Sequence, residues 1–151
     1  MEYVIRPIGT VRNERTDAED DYWGGVVSEI IVDLDESSLD GIEEFSHLEI
    51  FYVFHLPAEE KIEYTARNPR NNPAYPKVGI FAQRGKNRPN RIGATVVELV
   101  RKEGNKLFVR GLDALDGTPV IDMKPVMKEF LPSAEVRQPA WVTELMADYW
   151  K

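Results

Sequence analysis

Short apolar runs separated by glycine, proline and asparagine dominate this chain, and they predict strands rather than helices. Predicted strands cover YVIRPIGTV at 3–11, VVSEIIVDL at 26–34 and HLEIFYVFHL at 47–56. The last run is too continuously apolar for a strand with one solvated face, so we expect it to be buried. ATVVELVRKEGNKLFVRGLDAL at 94–115 predicts a hairpin around a Glu-Gly-Asn turn.

Helical patterns are few and short. DESSLDGIEEF at 35–45 predicts a short helix or helical turn. PAWVTELMADYW at 139–150 predicts a carboxy-terminal helix, with a proline at its first position and a stripe formed by Trp141, Leu145 and Tyr149. The balance indicates a mainly β fold, a β-barrel or a sandwich, with short peripheral helices. The polar segment 59–77 holds three prolines and is a candidate functional loop.

Length and composition restrict the class of protein. At 151 residues, with 42% hydrophobic and 30% charged residues, we expect one globular domain spanning 1–151. The absence of cysteine excludes a disulfide framework, a thiolate metal site and a cysteine nucleophile. No run approaches the ~20 apolar residues of a membrane helix, and no signal-peptide pattern opens the chain. We therefore expect a cytoplasmic protein.

The charge is strongly segregated along the chain. The net charge is −7, yet residues 61–110 hold twelve Lys and Arg against three Glu, a net of +9, and the remainder carries −16. Such segregation can create a positive field on an acidic molecule, so we predict a basic patch.

The centre of this basic segment is QRGKNRPNRIG at 83–93, with four cations, two asparagines, a proline and two glycines. Arginine binds phosphate through two parallel hydrogen bonds, and glycine permits close approach of a ligand to the backbone. Composition alone leaves two interpretations open, a loop that receives an anion and a solvated basic loop.

Other candidate chemistry is weaker. His47 and His55 would lie on one face of a continuous strand but ~26 Å apart, too far to share a metal. The segment DALDGTPVIDMKP carries Asp113, Asp116 and Asp122 around an Asp-Gly turn, where they could bind ribose hydroxyls or a cationic ligand or simply build the turn. NPAY at 72–75 is similar to a signature of Rossmann-type adenine methyltransferases, but no glycine-rich strand-to-helix turn precedes it.

Three segments in register resemble the TrmO/YaeB-like (TsaA-like) family of S-adenosylmethionine-dependent tRNA methyltransferases. They are FSHLEIFYVFH at 45–55, VGIFAQRGKNRPNRIG at 78–93 and LDALDGTPVIDMKP at 112–125, and the resemblance covers about residues 4–130. It implies a single-sheeted β-barrel, a homodimer and methylation of N6 of N6-threonylcarbamoyladenosine beside the tRNA anticodon.

By position, the resemblance also implies a shell that binds S-adenosylmethionine and its product S-adenosylhomocysteine, with no metal. The shell comprises Phe54, His55, Gln83, Arg84, Arg88, Pro89, Asn90, Ile92, Leu112, Asp113, Asp116 and Thr118.

The family's loop usually has Ser-Pro where this chain has Gly85 and Lys86, and a second proline where it has Arg91, so this loop is more basic. The candidate RNA-binding residues are Arg67, Arg70, Lys77, Lys86 and Arg91, and the candidate stacking rings are Phe51, Tyr52, Phe54, Tyr64 and Tyr75.

N6 must lose a proton during transfer. His55, Asp113, Asp116 and Asp122 are candidate acceptors, among which the sequence does not choose, and water is an alternative. Two other functions fit the sequence as well. One is a methyltransferase acting on another RNA or on a small molecule, and the other is a cofactor- or RNA-binding module without catalysis.

Overall fold

A closed six-stranded antiparallel barrel forms the body of the protein. The structure is a computed structural model that describes residues 1–17 and 19–151. The barrel order is β1-β2-β7-β6-β3-β8, and β4 and β5 form a separate two-stranded sheet. This confirms the predicted mainly β, single-sheeted barrel. The strands of the described residues are β1 (Gly9–Arg12), β2 (Val27–Val32), β3 (His47–Val53), β4 (Ala66–Arg67), β5 (Val78–Gly79), β6 (Ile92–Glu103), β7 (Lys106–Arg110) and β8 (Pro119–Pro125).

The barrel interior is filled by alternate side chains of each strand. In β3, Leu48, Ile50 and Tyr52 point inward and are at most 2% exposed, while Phe51 and Val53 are half-buried on the outer face. The expectation of a strand buried on both faces is therefore wrong, because a barrel wall has only one inner face. The remaining core consists mainly of Val11, Ile30, Val32, Val97, Leu107, Val109, Leu112 and Val120.

The ends of the predicted strands differ from the sequence expectation. Residues 1–8 are not in a strand, and β1 covers only the end of the predicted 3–11. Because β3 ends at Val53, His47 and His55 do not lie along one continuous strand, and the geometry assumed for them was wrong. Strand β8 was not predicted, because the Asp-Gly turn before it dominated the local pattern.

The hairpin prediction is confirmed, since β6 and β7 pair around a turn in which Gly104 has φ 60°. Segment 35–45 forms two 3₁₀ turns, Glu36–Leu39 and Ile42–Glu44. The carboxy-terminal helix α1 spans Ala140–Leu145, so it is shorter than the predicted 139–150, and Pro139 precedes it as the N-cap. No helix in the described residues is long and apolar enough to cross a membrane.

The segment 59–77 contains short elements and is joined to the basic loop and to α1. The side-chain amide of Gln83 donates to the carbonyls of Arg67 and Val78, at 2.9 and 3.0 Å, and so joins β4 to β5. The ring of Tyr75 lies 6.3 Å from that of Trp141 in α1. Loop and carboxy-terminal helix therefore pack against one another.

Candidate functional site

The three motifs converge at one end of the barrel. Strand β3 pairs antiparallel with both β6 and β8, so its carboxyl end lies beside the start of each. Val53 is opposite Ile92, and Tyr52 is opposite Val120. The topology therefore brings the exit of β3, the basic loop before β6 and the turn before β8 together.

Direct contacts join these segments. The Phe54 amide donates to the Arg91 carbonyl at 2.8 Å, and Arg91 Nη1 donates to the Pro57 carbonyl at 3.1 Å. His55 is exposed, and its Nε2 would lie 3.9 Å from a Cβ placed on Gly117. Arg91 thus fastens the basic loop to the segment that carries Phe54 and His55.

Asp113 is the centre of a hydroxyl cluster at this end. Its Oδ1 accepts hydrogen bonds from the Tyr52 hydroxyl, at 3.0 Å, and from Thr95 Oγ1. Its Oδ2 accepts from the hydroxyl of Tyr149. We call Tyr52, Thr95, Asp113 and Tyr149 the Asp113 cluster. Three donors on one carboxylate fix its position and orientation.

The two tyrosines of the cluster are held as hydrogen-bond donors. Burial raises the pKa of the Tyr52 hydroxyl, and the nearby charge of Asp113 raises it further. The same two causes, in the same order, raise the pKa of Tyr149. The positive charge of Arg84 acts in the opposite direction on both pKa values but is outweighed. Both hydroxyls therefore stay protonated at neutral pH and donate to Asp113.

The arginines of the basic loop also hold its shape. Arg84 Nη2 donates to the carbonyl of Ala94, and Arg88 Nη1 donates to the carbonyl of Gln83 at 2.7 Å. A guanidinium has five N–H donors, so each of these groups retains donors for a ligand.

The backbone of this loop adopts an uncommon conformation. Asn90 and Arg91 have φ of 61° and 51°, in the left-handed region that L-residues rarely enter. The amide of Arg91 donates to the Arg88 carbonyl at 3.0 Å. A proline at position 91 could not adopt this φ, and it has no amide hydrogen with which to donate this hydrogen bond. The loop of this chain therefore differs in backbone from one with proline there.

Several residues of the predicted cofactor shell make contacts within the protein that shape the site. Leu112 is fully buried in the core, and the buried Thr118 donates to the carbonyl of Leu115 at 2.6 Å. Asp116 Oδ1 accepts from the Asn13 amide at 3.1 Å. These three residues shape the turn before β8, and Gln83 shapes the β4–β5 sheet. Pro89 is half-buried, and Asn90 and Ile92 are exposed at the end of the barrel where the motifs converge.

Asp122 lies apart from the Asp113 cluster. Phe51 pairs with Asp122 and Tyr52 with Val120, so Ile121 is an extra residue in a β-bulge. The bulge reverses the alternation and places Asp122 on the outer face, exposed beside Phe51 and Lys124. Of the three aspartates, two therefore belong to the barrel end and one to the outer wall.

The candidate RNA-binding residues differ in their environments. Arg70 forms ion pairs with Asp21 at 2.9 Å and Asp20 at 3.8 Å, so its charge is partly compensated. Arg67 Nη2 donates to Asn71 at 2.8 Å. Lys77 and Lys86 are exposed. Of the described residues in this set, these two lysines carry the positive charges that are least occupied by contacts within the protein.

The candidate stacking rings separate in the same way. Tyr52 is 2% exposed and its prediction as a stacking platform is wrong, because it belongs to the core. Phe54 meets Tyr52 edge to face, with ring centres 5.3 Å apart, and is half-buried. Tyr64 is 69% exposed. Phe54 and Tyr64 therefore remain candidates for stacking on a base, because part of each ring is exposed.

Sequence reasoning missed Thr95 and Tyr149 as site residues. The sequence pattern assigns Tyr149 to an apolar helical stripe, and nothing near it in the sequence indicates a partner in the segment of the Asp-Gly turn. A separate cavity of about 640 Å³, lined by residues that include Arg12, Glu29, Arg101 and Phe108, shares no residue with the three motifs. Among the described residues no group of three or more potential metal ligands is present.

A comparison with known protein families covers most of the barrel and all three motifs. Residues 24–130 match the family described as tRNA-methyltransferase O N-terminal domain, and the chain belongs to that family. This confirms the resemblance found in the sequence.

Relatives and solved structures agree with this assignment. The chain is 39% identical over 104 residues, 69% of its length, to a human tRNA (adenine(37)-N6)-methyltransferase. It is 40% identical over 134 residues, 85% of its length and 93% of the relative's, to a probable S-adenosyl-L-methionine-binding protein of Methanothermobacter thermautotrophicus. A crystal structure of TrmO from Pseudomonas aeruginosa superposes with a TM-score of 0.74 at 28% identity, over 93% of this chain and 62% of that one. The chain spans less than a quarter of the length of the mammalian relatives it matches.

Proposed function

We propose that this chain is an S-adenosylmethionine-dependent tRNA methyltransferase, and that it acts on N6 of adenosine 37 in its N6-threonylcarbamoyl form. The observation that carries the proposal is the Asp113 cluster, which lies where the three family motifs meet. A relative named for methylation of adenine 37 at N6 supports the acceptor. A relative named for binding S-adenosyl-L-methionine supports the cofactor.

The residues at the barrel end fit the chemistry of this cofactor. It carries a ribose diol, an ammonium, a carboxylate and an adenine ring, so it needs an acceptor, a cation and an apolar surface. Asp113 is an oriented acceptor, Arg84 and Arg88 are cations with further donors, and Phe54 offers a half-buried ring.

When bound, S-adenosylmethionine supplies a methyl group on a positively charged sulfur, and transfer to nitrogen breaks the carbon–sulfur bond, with the bonding pair going to sulfur. What the chain contributes is chiefly position, because the sulfonium is already a good leaving group. The rigid Asp113 cluster and the fastened basic loop meet that need.

The acceptor nitrogen must release one proton. His55 is exposed beside Gly117, at the end of the barrel where the motifs converge. This position supports His55 as the acceptor of the proton. Asp113 has three hydroxyl donors, and Asp116 accepts a backbone amide, so both are engaged as structural acceptors. Asp122 is on the outer face and is the least supported candidate.

We further propose that the RNA is the anticodon loop of a tRNA, held through its phosphates by the basic loop and by cations of the segment before it. Lys77, Lys86 and Arg91 are the main candidates for phosphate contacts. Arg67 and Arg70 are secondary candidates, because Asn71 and Asp21 already engage them. Single-stranded loops expose bases that can be splayed onto a protein surface. Such a substrate also supports a cytoplasmic location.

A homodimer is part of the proposal. The outer face of the barrel wall exposes apolar side chains, including Ile92 and Val96, the latter 50% exposed. Together with Phe51, Ile121 and Ile5 of the amino-terminal arm, Ile92 lines a cavity of about 280 Å³, which Asp122 and Lys124 also line. An exposed apolar face of this kind is typical of a protein interface. Light scattering should give a mass near twice 17.3 kDa, and an active monomer would contradict the dimer.

The decisive experiment is transfer of labelled methyl groups to bulk tRNA, with and without the threonylcarbamoyl modification. We expect transfer only to modified tRNA, with Lys86→Ala reducing it. Lys106→Ala, at an exposed lysine of β7 outside the three motifs, is the matched control and should leave it unchanged. Transfer to unmodified tRNA would indicate another acceptor. Cofactor binding without transfer would indicate a binding module.

A further inference from the structure

The carboxy-terminal tail beyond α1 reaches the candidate site. Two backbone hydrogen bonds dock it, from the Tyr22 amide to the Asp148 carbonyl at 3.1 Å and from the Trp23 amide to the Tyr149 carbonyl at 2.8 Å. A Cβ on Gly24 would overlap the carbonyl of Trp150. The tail is therefore positioned by its backbone, independently of the Tyr149 hydroxyl.

That hydroxyl supplies the third side-chain hydrogen bond to the Asp113 carboxylate. A carboxylate offers about four lone-pair sites. Tyr52 and Thr95 occupy Oδ1, and Tyr149 occupies one site on Oδ2. One lone pair on Oδ2 remains, and the direction in which it points is fixed by the three donors.

We propose that Tyr149 is a positioning residue, which orients the remaining lone pair of Asp113 toward a hydroxyl or ammonium donor of the bound cofactor. This inference rests on the proposed function. Tyr149 lies outside the residues matched by the family, 24–130, so the tail of this chain adds a residue to a site built by the family core. Without this bond the carboxylate could rotate, and the cofactor would have to fix its orientation on binding.

The test compares Tyr149→Phe with wild type. The change keeps the ring, which packs edge to face on Trp150 with centres 4.8 Å apart, and removes only the hydroxyl. Because the bound ligand must then order a carboxylate that has lost one of its three donors, we expect a rise of up to about tenfold in the Kd for S-adenosylhomocysteine, measured by calorimetry. In turnover, the KM for S-adenosylmethionine should rise while kcat changes little. Tyr22→Phe, which removes an exposed hydroxyl beside the same tail, is the matched control and should bind as wild type does.

A double-mutant cycle separates positioning from general packing. In an Asp113→Asn background, Tyr149→Phe should weaken binding much less than it does in wild type, because asparagine lacks the carboxylate that Tyr149 orients. Equal affinity of Tyr149→Phe and wild type, or fully additive losses in the cycle, would overturn the inference and leave the proposed function intact. If wild type itself binds neither S-adenosylmethionine nor S-adenosylhomocysteine, both proposals fail.

Discussion

The ring of Tyr52 lies directly across the backbone of Gly93, its cross-strand partner in β6. A Cβ at position 93 would sit 2.5 Å from two carbons of that ring. Gly93 is the last residue of the basic motif 83–93, and the hydroxyl of Tyr52 donates to Asp113. The absence of a side chain at position 93 thus leaves room for the ring of Tyr52 beside Asp113.

Gly93→Ala tests this relationship. The new methyl group should push the Tyr52 ring away from Asp113, because the inner face of the barrel is closely packed. Overpacking of this kind costs about 1–3 kcal/mol, so the free energy of unfolding measured with urea should fall by that amount. Gly85→Ala is the control, since no atom lies within 4 Å of a Cβ placed there. Equal stability of the two variants would show that the ring moves without cost.

Asp113→Asn should weaken the fold as well as the site. An asparagine offers one carbonyl oxygen in place of two carboxylate oxygens, so three hydroxyl donors cannot all keep a partner. A buried donor left without a partner costs about 1–3 kcal/mol. Urea denaturation should show a loss in this range. Asp40→Asn, at an exposed side chain, should change the free energy of unfolding much less.

Stability should depend on alkaline pH. The native pKa values of Tyr52 and Tyr149 are raised, chiefly by burial and secondarily by Asp113, whereas both titrate near pH ~10 in the unfolded chain. Above that pH the unfolded state binds fewer protons than the native state, so the free energy of unfolding falls as pH rises. Below about pH 10 the two hydroxyls keep their full contribution.

The slope should be at most about 1.4 kcal/mol per pH unit for each tyrosine. Tyr149→Phe should remove one tyrosine's share of it, measured by urea denaturation between about pH 9 and 11. Tyr3→Phe, at an 82% exposed ring, provides the control curve. If Tyr149→Phe and wild type lose stability in parallel, burial of this hydroxyl does not carry the effect.

Arg91 combines a backbone role with a charge. Arg91→Ala removes the side-chain hydrogen bond to Pro57 but keeps the backbone hydrogen bonds to Arg88 and Phe54, so S-adenosylhomocysteine affinity should change little. Its RNA affinity should depend less steeply on salt, by at most about 0.7 in log K per log[salt] for a single-stranded phosphate contact.

Arg91→Pro should be worse in both respects, because proline has no amide hydrogen and cannot adopt φ 51°. Calorimetry and salt titrations of RNA binding measure the two effects separately. Equal cofactor affinity of the alanine and proline variants would show that the loop backbone is not part of the site. An unchanged salt slope in Arg91→Ala would exclude a phosphate contact by this side chain.

Much of the architecture was predictable from local patterns. The hairpin of β6 and β7 follows from two apolar runs around a Gly-Asn turn, and the strand of Leu48, Ile50 and Tyr52 follows from β-branched and aromatic residues. The three motifs identified the family, and pairing of β3 with both β6 and β8 brings them to one end of the barrel. The strands, the hairpin and the motifs depend on composition and order along the chain, which a sequence displays directly, whereas the pairing of β3 is a property of the fold.

The limits of the helix and the place of the aspartates were not predictable in this way. Trp141, Leu145 and Tyr149 have helical spacing, yet α1 ends at Leu145, and docking of the tail on Tyr22 and Trp23 takes the place of further helical turns. The bulge at Ile121 turns Asp122 outward, although its spacing from Asp116 suggested a shared turn. Both outcomes depend on what lies against the segment in space.

The sequence by itself determined that the fold is rich in strands, because side-chain alternation and turn residues are local properties. Its three motifs also identified the family, and the resemblance to that family implied the barrel. Only the tertiary structure decided how Asp113 is held. Its partners Thr95, Tyr149 and Tyr52 are 18, 36 and 61 residues away along the chain. Hydrogen bonds of this kind form only after barrel closure and tail docking bring distant segments together, and no local pattern encodes them.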